Sequence, residues 1–346
     1  MQAIPVIALT GHLGAGKTSL LNHVLGSPGA RIGVIINDFG ELNVDAMLVT
    51  GQVDEPASIA GGCICCLTDD DGLDNALTKL ADPQLRLDAI VVEASGVADP
   101  VAITRLIGFS GVAGVRFGGL IDVIDAARHF DTVDVGATPP ARYGVASLIV
   151  VNKLDQLDRG DRPVILKRVE QRVRERNPHA IVVGAVGARI DPTLLYDVAG
   201  SPDEPGQLSL RELFVDETTN RAANANGNNV DHVHAESVTV TSKVCIDPGA
   251  LVDLLEEPPA GVYRIKGVVA VRYRATVRTY AVNMVATSIH VASTPPAVRA
   301  NCLVAIGLHL DTNAVRARLD AALRSHSGPT PPAGIRRLQR YRRLSL

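Results

Sequence analysis

The chain contains no tryptophan, and only 3% of its 346 residues are aromatic. Proteins that bind single-stranded nucleic acid stack the bases on aromatic side chains, so this composition argues against such a platform. The formal net charge is −3, which gives no general attraction to nucleic acid or to an anionic membrane. We therefore expect neither of these partners.

Long apolar runs are missing as well, since no stretch reaches the roughly 20 residues that cross a bilayer. The first apolar run, Ala3–Leu9, ends at a glycine-rich loop and is not a signal peptide. Cysteines number only five, an odd count, and three of them lie within four residues. That pattern does not suit a secreted disulfide framework and indicates metal or redox chemistry in a reducing compartment. The sequence predicts a cytoplasmic protein.

Short apolar runs alternate with segments of helical spacing in the N-terminal part of the chain. Apolar strands without polar alternation are covered on both faces, which is typical of a mostly parallel sheet wrapped by helices. We expect an α/β domain over residues 1–205. Its predicted strands are Pro5–Leu9, Ile32–Ile36, Ala89–Val92, Gly119–Ile124 and Ser147–Val151.

A change of composition marks the second part of the chain. Proline, glycine, asparagine and aspartate accumulate over residues 206–235, which predicts a linker. A smaller α+β domain is expected over residues 236–326, followed by a basic, disordered tail at 327–346. Its expected elements are strands at Glu236–Lys243, Tyr263–Val271, Ala275–Val285 and Cys302–Leu308, and helices at Ala250–Leu255 and Ala314–Leu323.

A phosphate-binding loop follows the first strand, because Gly11–Thr18 fits the pattern G-x-x-x-x-G-K-[ST]. Its glycines let backbone N–H groups curl around phosphates, Lys17 reaches the β- and γ-phosphates, and the Thr18 hydroxyl binds Mg²⁺. The alternative, a chance glycine-rich turn, does not explain the strand before the loop and the helix after it. The nucleotide-binding residues expected here are Gly11, Gly14, Ala15, Gly16, Lys17, Thr18 and Ser19.

A second nucleotide motif, Asn152-Lys153-Leu154-Asp155, directly follows the apolar strand Ser147–Val151. Ligands of open α/β sheets bind outside the carboxyl ends of the strands. The Asp155 carboxylate accepts hydrogen bonds from guanine N1–H and its exocyclic amine, whereas adenine lacks these donors in that arrangement. The structural alternative is that Asp155 merely begins the next helix. We interpret the motif as a guanine-binding loop.

An acidic strand end completes the nucleotide site, where Ile90-Val91-Val92-Glu93 runs into Ala94-Ser95-Gly96. Glu93 beside the phosphate loop would hold Mg²⁺ or orient the attacking water, and Gly96 would allow close approach to the γ-phosphate. The alternative is an acid that caps the helix after Pro100. Lys17, Thr18 and Glu93 are therefore the candidate catalytic residues.

The cluster Cys63-Ile64-Cys65-Cys66, preceded by Gly61 and Gly62, is the most unusual feature. Three thiolates supply three of the four tetrahedral ligands of Zn²⁺ and leave one position open. Soft ligands favour Zn²⁺, Co²⁺ or Cu(I) over Mg²⁺. Buried apolar cysteines, a redox pair and an iron–sulfur fragment remain as alternatives.

Weaker signals concern other polar clusters. Asp69, Asp70 and Asp71 are best interpreted as capping the helix that runs to Leu80. His232 and His234 in the linker suggest either a weak metal-collecting site or a solvated loop. Cys245 and Cys302 lie far from the cysteine cluster and are interpreted as core residues. The arginines of the tail, Arg336, Arg337, Arg340, Arg342 and Arg343, are interpreted as a solvated charge run.

Taken together, these motifs resemble the CobW-type metallochaperone GTPases, relatives of the urease and hydrogenase accessory GTPases. The resemblance extends over nearly the whole chain. It includes the loop Gly11–Thr18, the switch-like Asn37-Asp38-Phe39-Gly40-Glu41, Gly62–Cys66, Glu93–Pro100, Val123–Ala126, Asn152–Asp155, Arg264–Gly267 and Arg299–Asp311. The chain departs from the family pattern at Asp38, where glutamate is expected, and at Asn43, where glycine is usual.

The resemblance implies a GTPase that uses GTP and Mg²⁺ and has Asp38 in its catalytic switch. It further implies that the cysteine loop connects two switch regions, so that GTP assembles a tight Zn²⁺ or Co²⁺ site and hydrolysis loosens it. Weak intrinsic hydrolysis would be stimulated by a client metalloenzyme or metal-insertion complex, and a homodimer is possible. The alternative functions are a GTP-binding metal sensor with negligible turnover and a GTPase with a thiol redox site.

Overall fold

The computed structural model describes residues 3–26, 31–36, 57–58, 71–96, 98–196, 235–273, 276–294, 301–324 and 332–344. The strands of the first domain are β1 (Ile4–Gly11), β2 (Ile32–Ile36), β3 (Ala57–Ser58), β4 (Ala89–Glu93), β5 (Val115–Asp125), β6 (Leu148–Asn152) and β7 (Ile181–Gly184). Its α-helices are α1 (Lys17–Leu25), α2 (Asp71–Leu80), α3 (Pro100–Gly108), α4 (His129–Thr132) and α5 (Asp161–Arg174). Short 3₁₀ helices lie at Pro83–Leu85, Ala141–Gly144, Leu154–Gln156 and Pro192–Leu194.

The first domain is built on one parallel sheet of seven strands in the order β3-β2-β4-β1-β5-β6-β7. Successive residues of a strand point to opposite faces. In β1, Ile7 and Leu9 therefore enter one apolar core while Val6 and Ala8 enter the other. Helix α1 covers the first face, and α2, α3 and α5 cover the second. The predicted parallel α/β domain is confirmed, with strand ends shifted by a few residues.

Local sequence explains several helix starts. Asp99 accepts a hydrogen bond from the backbone of Val101, and Pro100 occupies the first position of α3. An acceptor side chain satisfies an N–H group that has no partner within the helix, and proline has no N–H to lose there. Helix α2 begins at Asp71 and ends at Leu80, in agreement with the expected helix.

The second domain is an antiparallel sheet of five strands in the order β11-β10-β9-β12-β8. Its strands are β8 (Glu236–Ser242), β9 (Val262–Tyr273), β10 (Thr276–Val285), β11 (Ser288–Thr294) and β12 (Asn301–Gly307), and its helices are α6 (Pro248–Glu256), α7 (Thr312–Ala322) and α8 (Pro332–Leu344). The predicted α+β domain is confirmed. Strand β11 was not predicted, because an edge strand that is only partly buried carries a weak apolar pattern.

The prediction of a disordered tail is wrong for Pro332–Leu344, which form α8. The helix inserts Leu338, which is 2% exposed, into the apolar core of the second domain. Arg337 pairs with Asp253 and Glu256 of α6. The run of arginines conceals this apolar face in the sequence, because the partners that neutralise them lie about 80 residues away.

The two domains meet in the apolar cluster on the α1 face of the parallel sheet. Tyr263, Val285 and Leu308 of the second domain join the cluster on the α1 face of the parallel sheet. Beside them, the guanidinium of Arg116 in β5 donates to Oδ1 of Asn283 in β10 over 3.4 Å. The C-terminal domain therefore covers part of a sheet face that a helix covers elsewhere. Among the described residues, no helix combines the length and apolar character needed to cross a membrane.

Candidate functional site

The phosphate loop has the backbone conformation that its glycines predict. Gly14 and Gly16 adopt φ angles of +76° and +105°, a region that costs other residues steric strain. A Cβ atom on Gly16 would lie 2.3 Å from Nδ2 of Asn152, so a larger residue at this position would also clash with Asn152. Ala15 is fully buried and Ser19 is exposed on the first turn of α1. The loop curls over the start of α1, where helix N–H groups favour an anion.

The last two residues of the loop, Lys17 and Thr18, each form a side-chain hydrogen bond. The ammonium of Lys17 donates to the carbonyl oxygen of Gly11 over 3.1 Å, inside the loop. The hydroxyl of Thr18 donates to Oε1 of Glu93 over 3.0 Å. Glu93 is 2% exposed at the end of β4, the strand beside β1. Hydroxyl and carboxylate oxygens are the ligands that Mg²⁺ prefers, so this pair fits the cofactor that the sequence predicts.

The motif Asn152–Asp155 is tied directly to the phosphate loop through Asn152. Its side-chain N–H group donates to the carbonyl oxygen of Ala15 over 2.9 Å, and its side-chain oxygen accepts from the backbone N–H of Ala188 over 2.7 Å. Asn152 is 2% exposed. One buried amide therefore joins the phosphate loop to the turn after β7, and both of its polar atoms are paired, as is usual for buried polar groups.

The next two motif residues have different surroundings. Lys153 adopts a left-handed φ of +63°, and its ammonium lies 2.7 Å from Oδ2 of Asp125 at the end of β5. Asp155 is exposed in the short 3₁₀ helix that follows. An exposed carboxylate at this edge is open to a ligand, whereas Lys153 is held along the side of the site. Of the four motif residues, Asn152 bonds to the phosphate loop and Lys153 lines a cavity together with it.

Gly96 lies against the tip of the phosphate loop. A Cβ atom at this position would come within 2.8 Å of the backbone nitrogen of Leu13. Only glycine permits this approach of two backbone segments. The loop after Glu93 therefore touches the phosphate loop directly, and the proximity of Gly96 to the γ-phosphate stays a prediction.

A buried carboxylate beneath the loop was missed by the sequence analysis. Asp122 is fully buried in β5, accepts a hydrogen bond from Thr10 over 3.0 Å and pairs with Arg142 at 3.0 Å. Burial raises the pKa of this carboxyl group, and the positive charge of Arg142 opposes the rise. Thr10 immediately precedes Gly11, so the network braces the entry to the loop. The available signal was one acid inside an apolar run, Leu120–Ile124.

A second buried network lies next to the first. His129 in α4 contacts the hydroxyl of Tyr143, which donates to Asp134, and Asp134 is held by Arg172. Burial lowers the pKa of His129 to about 4, so its imidazole is neutral at physiological pH. Since the tyrosine proton goes to Asp134, Nε2 of His129 is the donor in the remaining bond.

These elements enclose a cavity of about 280 Å³ beside the phosphate loop. Its lining combines the loop residues His12, Leu13 and Gly14 with Asp125, Arg128 and Lys153. The cavity therefore extends from the phosphate loop to Lys153 of the motif Asn152–Asp155. A lining that includes the cations Arg128 and Lys153 and part of a Gly-rich loop suits a phosphorylated ligand.

Several predicted residues lie outside the described part of the chain. These are Asp38 of the switch-like segment, the cysteines Cys63, Cys65 and Cys66, and the histidines His232 and His234. Within the described residues, no group of three or more His, Cys, Asp or Glu side chains is positioned to hold a metal ion. Cys245 and Cys302 lie partly buried in the second domain, and neither forms a disulfide with another described residue.

Comparison with known proteins decides the family. Residues 5–184 match the model described as "CobW/HypB/UreG, nucleotide-binding domain", and residues 235–323 match "Cobalamin synthesis protein cobW C-terminal domain". The chain belongs to the CobW/HypB/UreG family. Residues 235–323 contain β8–β12, α6 and α7 of the second domain, whereas α8 lies beyond the matched segment.

Named members of the CobW/HypB/UreG family are similar to much of this chain. The zinc chaperone YjiA of Escherichia coli is 31% identical over 221 residues, which cover 62% of this chain and 67% of that protein. The zinc chaperone CobW of Sinorhizobium sp. is 30% identical over 299 residues, covering 77% and 78%. The crystal structure of Zn(II)-bound YjiA GTPase from E. coli is 22% identical, covers 94% of this chain and 100% of that one, and gives a TM-score of 0.42.

Proposed function

We propose that this chain is a GTP-hydrolysing metallochaperone that binds Zn²⁺ or Co²⁺ through Cys63, Cys65 and Cys66 and delivers the ion to a client metalloenzyme or metal-insertion complex. Two of its relatives are named zinc chaperones, which supports this choice over a redox function. Three thiolates leave one tetrahedral position open. An open position lets a client ligand enter before the protein releases the ion.

The register of the parallel sheet is the observation that supports a coupling between GTP hydrolysis and metal binding. Ile36 at the end of β2 pairs with Glu93 on one side and with Ser58 at the end of β3 on the other. Neighbouring strands are about 4.8 Å apart, so the chain leaves β3 about 10 Å from Glu93. Asp38 follows Ile36 by two residues and Cys63 follows Ser58 by five. Both segments therefore start at the carboxyl ends of the strands, where the γ-phosphate would bind.

The chemistry of hydrolysis follows from the oxygen and nitrogen donors at that edge. Lys17 would stabilise charge on the β- and γ-phosphates, and Mg²⁺ held at Thr18 and Glu93 would neutralise charge on the transferred group. Asp38 and Glu93 would orient the attacking water. The products are GDP and inorganic phosphate. Loss of the γ-phosphate would remove the contact that orders the cysteine segment.

Guanine selectivity is proposed to depend on Asp155. We would measure the affinity of the full chain for fluorescent GTP and ATP analogues, using Asp155→Ala and, as the control, Asp158→Ala at another exposed position of the same loop. The loss of hydrogen bonds to a carboxylate should weaken GTP binding by about 10- to 100-fold without changing ATP binding. Equal losses in both variants would reject this role.

Nucleotide-gated metal binding is tested by titrating the reduced protein with Zn²⁺ and Co²⁺. One series contains Mg²⁺ with a non-hydrolysable GTP analogue and the other contains Mg²⁺ with GDP. We expect one tightly bound ion in the GTP-like state and weaker binding with GDP. Cys65→Ala should abolish the tight site, whereas Cys302→Ala, which alters a partly buried thiol of the other domain, should leave it unchanged.

The outcomes separate the possible functions. Equal metal affinity in both nucleotide states would reject coupling, because a ligand that binds two states equally shifts neither. A reversible disulfide in place of metal binding would identify a redox site. Tight gated binding without measurable GTP turnover, even with a client present, would identify a metal sensor.

A further inference from the structure

Helix α8 packs one of its sides against the second domain. Leu338 enters the apolar core, and Tyr341 packs against that core and donates to Glu256 over 2.8 Å. At the start of the helix, Gly334 comes so close to α6 that a Cβ atom would lie 2.6 Å from the backbone nitrogen of Gly249. The helix is therefore a fixed part of the domain.

Two of its arginines belong to this packed side. Arg337 pairs with Asp253 at 2.6 Å and with Glu256 at 2.5 Å, and Arg342 donates to the hydroxyl of Ser293 in β11. The acidic groups of α6 that face the helix are therefore already engaged. Both carboxylates of α6, those of Asp253 and Glu256, are thus paired with Arg337 on the packed side of α8.

That opposite side presents three exposed arginines, Arg336, Arg340 and Arg343. Within the described residues, none of the three forms an ion pair with a carboxylate. Their spacing of four and seven positions places them within about 60° around the helix axis and over about 10 Å of its length. They form one straight row of cations, called here the arginine row.

The arginine row belongs to the cationic part of a strongly polarised chain. Residues 235–346 carry 15 Lys and Arg against 7 Asp and Glu, whereas residues 1–234 carry 19 against 30. The net charge of −3 therefore conceals a C-terminal part of +8 and an N-terminal part of −11. The overall charge of the chain gives no hint of this surface.

We propose that the arginine row is a docking surface for an acidic segment of a partner protein. Guanidinium groups bind carboxylates with paired hydrogen bonds. Side chains at i and i+4 of a helix or at i and i+2 of a strand repeat about every 6–7 Å, which is comparable to the steps of about 6 Å from Arg336 to Arg340 and about 4.5 Å from Arg340 to Arg343. The inference concerns a surface separate from the nucleotide site and does not depend on which metal the protein carries.

Other anionic partners fit the row less well. The aromatic residue of α8, Tyr341, has its hydroxyl bonded to Glu256 and is not free to stack on a base. The apolar side of the helix is packed on the domain, so Leu338 does not face a lipid surface. A long polyanion would also meet the negative charge of the N-terminal part.

The test is a binding measurement on the full chain, with a fluorescein-labelled octaglutamate peptide and fluorescence anisotropy at moderate salt. The variant Arg336→Glu/Arg340→Glu/Arg343→Glu removes and reverses the row. The control Arg105→Glu/Arg159→Glu/Lys167→Glu reverses three exposed cations of the first domain, so both proteins change net charge equally. We expect binding to weaken at least about tenfold in the first variant only, since each substitution replaces a guanidinium that would pair with a carboxylate by a group that repels it.

Nucleotide binding by both variants checks that they are folded. Equal weakening in the two variants, or no binding by the wild-type chain, would overturn the inference. An oligouridine of eight nucleotides and vesicles containing 30% phosphatidylserine are tested in parallel. Tighter binding of either one, with the same dependence on the arginine row, would also overturn it in favour of nucleic acid or membrane.

Discussion

The hydroxyl of Thr18 donates a 3.0 Å hydrogen bond to Glu93, a residue 75 positions away in the sequence. The bond joins the first turn of the helix after the phosphate loop to the end of the neighbouring strand. Both oxygens are directed to the same small region beside the loop, and the carboxylate is almost fully buried. A cation is the natural partner for such a group.

This relationship predicts different effects for two changes at one position. Glu93→Gln keeps a hydrogen-bond acceptor for Thr18 but removes the charge, whereas Glu93→Ala removes both. We expect each to lower the rate of GTP hydrolysis by about 10- to 100-fold, and only Glu93→Ala to lower thermal stability as well. Steady-state phosphate release and thermal unfolding measure the two effects. Glu175→Gln, on the exposed end of α5, is the control, and a similar loss there would contradict the assignment.

The glycines of the phosphate loop allow a matched comparison. Gly14 and Gly16 both have positive φ angles, but a Cβ atom meets nothing within 4 Å at Gly14 and collides with Asn152 at Gly16. Gly14→Ala should therefore cost only the backbone strain, about 1–2 kcal/mol. Gly16→Ala should also displace Asn152 and abolish nucleotide binding. Equal nucleotide affinities in the two variants would show that the contact with Asn152 is unimportant.

His129 predicts a loss of stability in acid. Its pKa is about 4 in the folded protein and 6.5 in the unfolded chain, so between these values only the unfolded chain binds the proton. Stability should therefore fall as the pH decreases from about 6.5 towards 4, by an amount on the order of 2–3 kcal/mol. Urea unfolding at a series of pH values measures this fall.

Replacement of the histidine isolates its contribution to that fall. His129→Gln keeps an N–H donor for Tyr143 and does not titrate, so its stability should depend less on pH than that of the wild type. His290 keeps part of the dependence, because burial and the charge of Arg116 lower its pKa to about 4 as well. His179→Gln, at an exposed position, should behave as the wild type does. Identical pH profiles for His129→Gln and the wild type would reject the prediction.

The position of α8 is tested at its closest contact. Gly334→Ala places a methyl group 2.6 Å from the backbone nitrogen of Gly249, and backbone atoms do not yield easily. We expect a loss of about 1–3 kcal/mol in the free energy of unfolding of the second domain. Gly111→Ala, where a Cβ atom meets nothing within 4 Å, should be neutral or slightly stabilising. Circular dichroism during urea unfolding provides the measurement.

Much of the nucleotide site could be predicted because its motifs are continuous in sequence. Gly11–Thr18 and Asn152–Asp155 each follow an apolar strand, and the carboxyl ends of parallel strands meet at one edge of a sheet. Asp122 and Arg142 escaped prediction, since their pairing depends on how β5 and a later 3₁₀ helix pack.

The structure of the C-terminal tail, in contrast, was not predicted from its sequence. Five arginines in Ile335–Leu344 suggested a solvated segment, and the sequence pattern alone offered no partner for them. The structure supplies Asp253 and Glu256 from α6, which let the apolar residue Leu338 enter the core. The burial of the apolar face of α8 then stabilises the helix despite the positive charge on its other face.

The sequence by itself determined the class of the first domain, the phosphate and guanine motifs and the alternation of strands and helices. These depend on residues a few positions apart, whose spacing fixes local backbone geometry. Only the tertiary structure decided which side chains meet beneath the loop, how the second domain covers the sheet, and which arginines of α8 remain exposed. Those outcomes depend on strand register and on packing between residues far apart in the chain, which no local pattern encodes.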